Sequence, residues 1–538
     1  MQSSTLSFLR QTGGPSAMLP EPPTQNQRKL MQGGMGLTTP PECQEWERST
    51  EIHLMNNEFS ELPETLICPV LETLLLNGNS RLRKIPESFF NNMPALQILN
   101  LSRTRIKSLP KSLFQLINLK RLFLNHCELF MRLQPEIGKL RNLEILDLEG
   151  TWITNLPKEV QHLKTLTCLK LSFDDPVNYR KELLNEVIPR GVLSALAQLE
   201  ELHIDVSPDD KRWNACVVDV ASEVCGLTTL NTLKFYFPLV ELLSGFNWSN
   251  PEGESLSLSR FRLTVGHHFK RIMSRTPHDI ELEMEQYHRC LKYVNGAGVP
   301  EEIKVVLRYA TAFFLDRHTD IKTLSELGCE NMMQLNWCVV GECNEIRAII
   351  NGDQMGSWSS SEKNIGLTAL VYLHIYRMKN LRSIWEGRVL DNGFTSLKAL
   401  TLRTCPQLTT IFTPELLASF GNLEELLVDD CPVITALVCC DNSEHEATHF
   451  LPKLKKVSLH YLPELASISN AKGISMLPTV EWMSVYCCPK LLCLPIDKGY
   501  HTSLKKIKGE RNWWEALEWT STQQHSWDDI FVPINACD

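Results

Sequence analysis

Apolar residues recur along this chain in a fixed template. Leu143, Leu146 and Leu148 are followed by Thr151, Ile153, Leu156 and Pro157. Leu71, Leu74, Leu76, Asn79, Leu82, Ile85 and Pro86 repeat the spacing, as do Leu96, Leu99, Leu101, Thr104, Ile106, Leu109 and Pro110. The first segment of each unit alternates. In Leu146-Asp147-Leu148-Glu149 the leucines fall on one side and the acids on the other, which is the period of a strand. Three residues past the last strand leucine stands Asn79, Thr104, Cys127 or Thr151. The chain turns inward there, and its buried backbone groups need partners. Asn both donates and accepts, Thr uses its hydroxyl, and Cys chiefly fills space. The pairs Leu62-Pro63, Leu109-Pro110 and Leu156-Pro157 then hold the backbone extended on the outer side. One such unit cannot close a core, but a stack of them can.

The period is about 23 to 25 residues, within the range of leucine-rich repeats. The predicted fold is α/β: a leucine-rich repeat solenoid, curved like a horseshoe, with a parallel sheet on the concave face and loops and short helices on the convex face. Residues 1–34, rich in Pro, Gln and Gly, read as a disordered leader. N-terminal repeats occupy 35–240, starting with the short strand Ile52-His53-Leu54. After Leu171 the spacing loosens, and units starting at Leu166, Leu199 and Leu230 lie about 31 to 33 residues apart. Segment 241–330 is irregular, with strands expected at Phe261–Val265 and Ala312–Asp316. C-terminal repeats fill 331–519. Leu397, Leu400, Leu402, Cys405, Leu408 and Ile411 form one unit; the units around Leu426 and Met483 repeat it, and Pro follows each inward Cys (Pro406, Pro432, Pro489). Trp513, Trp514 and Trp519 are large enough to cover a solenoid end, and 520–538 reads as a tail.

Charge changes the picture of partners. The net charge of −9 and pI near 6.0 argue against nucleic acid or an anionic membrane as the main ligand. No apolar run reaches the roughly 18 residues of a membrane span, and the start has no signal-peptide core. The reading is a cytoplasmic chain whose 18 cysteines are mostly reduced. Cys127, Cys343, Cys405, Cys431 and Cys488 land on the inward turn, where a small buried side chain fits.

Chemistry is sparse. His445-Glu446-Ala447-Thr448-His449 spells a zinc-peptidase pattern, which needs a helix to bring both His side chains to one face. Here it follows the loop-like Cys439-Cys440-Asp441-Asn442-Ser443 between two repeat strands, so it reads as an inter-repeat loop. The competing metallopeptidase reading assigns zinc to His445 and His449 and the base to Glu446. No phosphate-cradling loop and no nucleophile–base pair is apparent. The expectation is a non-enzyme with no catalytic, cofactor or metal residues. Binding is expected on the concave strand positions: Arg121, Phe123, Asp147, Glu149, Glu201, His203, Asp205, Tyr372, His374, Tyr376, Trp482 and Tyr486. Tyr, Trp and Arg are favoured hot spots. Tyr372, His374 and Tyr376 lead that set, and the acids Asp147, Glu149, Glu201 and Asp205 suggest a basic patch on a partner.

Several stretches resemble a known family. They are Gly36-Leu37-Thr38-Thr39-Pro40-Pro41 with Trp46, Ile52-His53-Leu54-Met55-Asn56-Asn57-Glu58, Ser102 to Pro110, and Leu146-Asp147-Leu148-Glu149-Gly150-Thr151. Phe314-Leu315-Asp316 with His318, Cys343-Asn344-Glu345-Ile346 and Trp513-Trp514 complete them. Together these resemble the leucine-rich repeat region of plant intracellular disease-resistance receptors of the coiled-coil, nucleotide-binding class, over about residues 35 to 519. The resemblance implies a protein-binding module of plant innate immunity. It would sense a pathogen effector or a guarded host protein, or hold a nucleotide-switch domain inactive, with no nucleic acid, small-molecule substrate or integral membrane association. The coiled-coil and ATP/ADP-binding parts of the family have no counterpart in this sequence, so a truncated paralogue, a fragmentary gene model or a repeat-only product is expected. The alternative is a general intracellular scaffold for a small GTPase or a ubiquitin-ligase partner.

Overall fold

The computed structural model describes residues 28–173, 186–246, 248, 258–267, 280, 283–354, 367–389, 393–438, 451–469, 479–494, 496, 503–518 and 527–534. Twenty strands among them form one parallel sheet that runs the length of the chain. Each strand pairs with the next unit's strand in constant register, so the template leucines stack in a column: Leu99 against Leu122, Leu122 against Leu146, Leu146 against Leu169, and Leu169 against Leu202. All five are fully buried. The fold is a leucine-rich repeat solenoid.

The outer returns differ along the array. After Leu109-Pro110 and Leu156-Pro157 come the short 3-10 helices Lys111–Gln115 and Lys158–His162, and Pro135–Lys139, which follows Gln134, is a third. Pro110 and Pro157 stand just before two of them, extended at φ −71° and −70°. The wider spacing around Leu199 to Leu230 is filled by the helix Lys211–Cys225, which buries Trp213, Cys216, Val217, Val220, Ala221 and Val224. That spacing is one apolar stripe of a helix. Asp210 caps it, accepting a bond from Arg212 N–H at 2.9 Å. In the C-terminal repeats the outer return is extended instead: Ala348–Asn351 pairs with Ser383–Glu386, and Ala436–Val438 with Ser467–Ser469.

The inward turn works as the side chains require. Asn79 Nδ2 donates to Leu76 O at 2.7 Å and to Leu54 O of the preceding unit at 2.9 Å. Thr104 and Thr151 hydroxyls each bond the carbonyl three residues back at 2.7 Å. Cys127, Cys343, Cys405, Cys431 and Cys488 are buried there, and the Cys127 thiol donates to Leu101 O at 3.1 Å. The residue before each turn is left-handed whether or not it is glycine: Asn56, Gly78, Arg103, His126, Gly150, Arg317, Glu342, Arg377, Thr404, Asp430, Tyr461 and Cys487 have φ of 52° to 78°.

Two boundaries differ from expectation. The array starts earlier than Ile52, because Lys29–Met31, inside the expected leader, pairs in parallel with Glu51–His53. It ends later, because Phe531–Pro533, inside the expected tail, pairs with Lys506–Gly509. Trp514 stacks on Phe531 at 4.4 Å and donates to Asp528 at 3.1 Å, so the cap is made by both sides of the segment 519–526. In the irregular region Phe261 and Ala312 lie in strands as expected (Arg260–Val265, Ala312–Asp316), and a third strand, Arg289–Val294, stands between them.

Candidate binding surface

The strand positions that point away from the leucine core line one continuous sheet face, and its character changes in three stretches. In the first, Arg121, Phe123, Asp147 and Glu149 lie on adjacent strands and are half-buried. Glu201, His203 and Asp205 share the strand Glu201–Asp205, two positions along the sheet from Asp147.

These acids do not form an open anionic patch. Lys234 Nζ lies 2.6 Å from Glu149 Oε1, and Lys170 Nζ lies 2.8 Å from Glu201 Oε1. His203 sits between the two carboxylates, with Nε2 3.1 Å from Glu201 and Nδ1 3.7 Å from Glu149. The expectation of a patch calling for a basic partner is corrected here: Lys170, His203 and Lys234 occupy the alternate positions of neighbouring strands and neutralise it. His203 and then Lys234 hold Glu149 well below the usual carboxylate range. Burial works against ionisation of Glu201, but His203 and Lys170 outweigh it and bring its pKa down to about 2. Burial likewise opposes charge on His203, and the two glutamates overcome it and raise its pKa. Asp147 is pushed up by burial.

The central stretch is covered. Cys290, Ala312, Phe314, Trp337, Val339 and Tyr376 occupy face positions, yet form a buried apolar cluster with Ile280, against which Met284 and Tyr287 pack. The expectation that Tyr372, His374 and Tyr376 present an open aromatic surface is corrected: Tyr372 is exposed at 36%, whereas His374 and Tyr376 retain 7% and 2%. The reason is that Ile280, Met284 and Tyr287 pack on the apolar cluster that holds Tyr376, and the Glu283 carboxylate lies 3.2 Å from His374 Nε2. The Tyr376 ring also lies flat across Gly341, where a Cβ would collide with it, and its hydroxyl donates to Asp316 Oδ1 at 3.3 Å.

The last stretch is open again. Trp482 and Tyr486 are half-buried at the two ends of one strand. Tyr461, half-exposed from its left-handed turn, meets Tyr486 edge-on at 5.3 Å. His460 Nε2 lies 2.9 Å from Ser484 Oγ, and burial lowers its pKa. Sequence reasoning missed one further feature, on the flank of the first repeats. Arg83, Lys84, Arg103, Arg105 and Lys107 are all exposed there on consecutive turns, which the bond from Arg105 N–H to Leu82 O ties together at 2.9 Å.

The zinc-peptidase pattern His445 to His449, with Cys439 and Cys440, lies outside the described residues. Among the described residues no group of three or more His, Cys, Asp or Glu could hold a metal ion, and no helix is long and apolar enough to cross a membrane.

Three family descriptions match the chain: "Plant disease resistance protein RPS2-like, leucine-rich repeats" over 320–432 and 387–496, "Leucine-rich repeat region" over 127–274, and "Leucine rich repeat" over 69–129. The chain is 31% identical to Disease resistance protein At4g27190 of Arabidopsis thaliana, over 87% of this chain and 46% of that protein. It is 24% identical to Disease resistance protein UNI of the same plant, over 76% and 41% of the two chains. The chain thus spans about half the length of the curated relatives it matches. A solved leucine-rich repeat protein of Leptospira interrogans is 19% identical with a TM-score of 0.44, over 76% of this chain and 91% of that one. By its repeats, and by its similarity to these plant proteins over most of its length, the chain belongs to the leucine-rich repeat family, with a repeat region of the plant disease-resistance type.

Proposed function

We propose that this chain is a protein-binding module of plant innate immunity, which senses a pathogen effector or a guarded host protein, or restrains a nucleotide-switch domain. The observation that carries the reading is the long parallel sheet whose face stays accessible at both ends. Arg121 and Phe123 stand at one end and Trp482 and Tyr486 at the other, each half-buried by its neighbours. A rigid row of Arg and aromatic side chains is what hot spots are made of. Among the described residues the ionic cluster of the face is paired within the chain, which leaves the aromatic and Arg positions as the contacts that support this reading.

The test is expression of the full chain in leaf tissue beside a separately supplied nucleotide-switch domain of the disease-resistance class, or beside a panel of effectors. Binding, or a change in cell death, is expected. It should be lost when Arg121→Ala, Trp482→Ala and Tyr486→Ala are combined. Absence of both binding and any change in cell death would sink the proposal.

A further inference from the structure

One flank of the first repeats carries positive charge beside exposed apolar side chains. Leu82, Ile106, Phe130 and Ile153 are the buried residues that follow the inward turns of four successive units. The residues just before them, Arg81, Arg105, Leu129 and Trp152, therefore share one outward position, and all four are exposed. Leu129 keeps 37% and Trp152 46% of its surface, although both are large and apolar. Just after the buried residue stand Arg83 and Lys107 in the first two units, both exposed, and the half-buried Met131 and Thr154 in the next two. Backbone N–H groups of Arg105, Arg103 and Thr154 donate to Leu82 O at 2.9 Å, Asn125 O at 2.9 Å and Met131 O at 3.1 Å, so each turn is tied to its neighbour. Across these four units the flank changes from basic to apolar.

The chain does not answer this positive charge itself. Glu58 holds Arg81 at 3.1 Å, Glu87 accepts the Lys111 N–H at 2.9 Å, and Glu128 is exposed in the next unit. Among the described residues Arg83, Arg105 and Lys107 form no ion pair. Elsewhere lysines are paired: Lys170 with Glu201, Lys234 with Glu149, Lys455 with Glu424 and Lys505 with Glu481, all within 2.8 Å. A chain of net charge −9 thus keeps these three cations clear of its carboxylates. Solvation alone accounts for exposed cations, but not for an indole and a leucine left in water beside them. Arg and Trp together are the composition of a binding hot spot.

We infer that this flank docks an acidic segment of a partner protein, with carboxylates over Arg83, Arg105 and Lys107 and a large apolar side chain over Leu129 and Trp152. Neighbouring strands lie about 4.8 Å apart, so the basic and apolar centres, two units apart, are separated by about 10 Å, which an extended segment covers in about three residues. Arg takes a carboxylate through two parallel N–H bonds, which fixes the orientation of the segment as well as its charge. A long polyanion would meet the same cations but would be repelled by the negative charge of the rest of the chain, and it has no use for Leu129 and Trp152. The inference rests on the protein-binding reading above, and gives it a second surface, off the sheet face, with a partner chemistry.

The probe is a fluorescent peptide of Glu-Asp-Glu, a Gly-Ser-Gly spacer and Leu-Phe, followed by anisotropy on the full chain. Binding is expected in low salt, and should weaken as salt rises. The triple variant Arg83→Glu, Arg105→Glu, Lys107→Glu should bind at least about tenfold more weakly, because each exposed pair is worth a factor of about two and reversal adds repulsion. Trp152→Ser should weaken binding about threefold, and should make no difference to a peptide that ends in Gly-Gly instead. If the triple variant loses its melting transition, Arg83→Gln with Lys107→Gln decides, with about a fourfold loss expected. No binding, or equal binding by wild type and the folded charge variants, would overturn the inference. A loss with the charge variants but none with Trp152→Ser would reduce the flank to a surface for any anion, and would overturn it as well. So would tighter binding, through the same cations, of a short DNA duplex or of phosphatidylserine vesicles. Failure would leave the broader function standing, because that is read as binding or cell death with Arg121, Trp482 and Tyr486 changed.

Discussion

Lys234 and Glu149 are 85 residues apart in the chain, and their side chains meet at 2.6 Å across the sheet face. Constant register makes this possible: Asp147 pairs with Lys170, Lys170 with His203, and His203 with Lys234. Each stacked unit therefore hands its charge to the next.

The cluster around His203 predicts a pH window. His203 has a raised pKa, so the folded state favours its protonated form. Its stabilisation is fully present below the ordinary imidazole value of 6.5 and is lost as pH rises through the raised value. Glu149 and Glu201 have lowered pKa values, so their stabilisation is present above the ordinary 4.5. It is lost as pH falls, for Glu201 towards about 2. All three contributions coexist between those two ordinary values. Melting of the wild type and His203→Gln should differ most near pH 5.5, by about 1 kcal/mol for partly exposed pairs, and converge in alkaline buffer. A difference that grows with pH would refute the assignment.

The left-handed position before each inward turn predicts a gain. Thr404 holds φ 56° with a β-branched side chain, a conformation that costs an L-residue roughly 1–2 kcal/mol. Thr404→Gly should stabilise the C-terminal repeats by about 1 kcal/mol. The control is Thr401→Gly, inside the strand Ala399–Arg403, which should destabilise by about 1 kcal/mol. Urea midpoints of the two variants must move in opposite directions.

Asn79 predicts a loss. It is fully buried and serves two carbonyls, Leu54 O and Leu76 O. Asn79→Ala would leave both without that donor, at about 2 kcal/mol or more. Coupling in a solenoid runs between neighbours, so the damage should stay near residues 54–104. Hydrogen exchange should quicken in the strands Glu51–His53 and Thr73–Leu75 and stay unchanged beyond Glu425–Asp429. Uniform acceleration along the chain would contradict neighbour-only coupling.

Legibility in the sequence followed the same physics. Leu146-Asp147-Leu148-Glu149 announces a strand because one face is core and the other is not, and alternation marks that difference. In Arg289–Val294 both Cys290 on the face and Leu291 beneath it are buried, so the strict alternation seen in Leu146 to Glu149 is lost. The cover over Trp337 and His374 was illegible for the same reason: only contact with Ile280 and Tyr287 distinguishes a buried face residue from an exposed one. The neutralised acids were missed because Glu149 meets Lys234 through register across intervening units, which spacing within one unit does not reveal. Phe531–Pro533 is three residues long and holds a proline, tolerable only because it is an edge strand.

The C-terminal cap yields the last prediction. Trp513 Nε1 donates to Leu491 O at 2.9 Å, tying the helix Arg511–Ala516 to the preceding unit. Trp514 faces the other way, stacked on Phe531 with planes 11° apart and bonded to Asp528. The two indoles therefore have separable tasks. Trp514→Ala removes the stacking partner of Phe531, so the edge strand Phe531–Pro533 should detach while Lys506–Gly509 stays paired with Trp482–Tyr486. Trp513→Ala opens a void beneath the last unit, at about 3–5 kcal/mol, and should fray Lys506–Gly509 as well. Limited proteolysis separates the two. Cleavage after Trp514→Ala should fall in 519–534 alone, and after Trp513→Ala it should extend back toward Leu504. Identical cleavage patterns would mean that the cap acts as one unit, contrary to the division of contacts between the two rings.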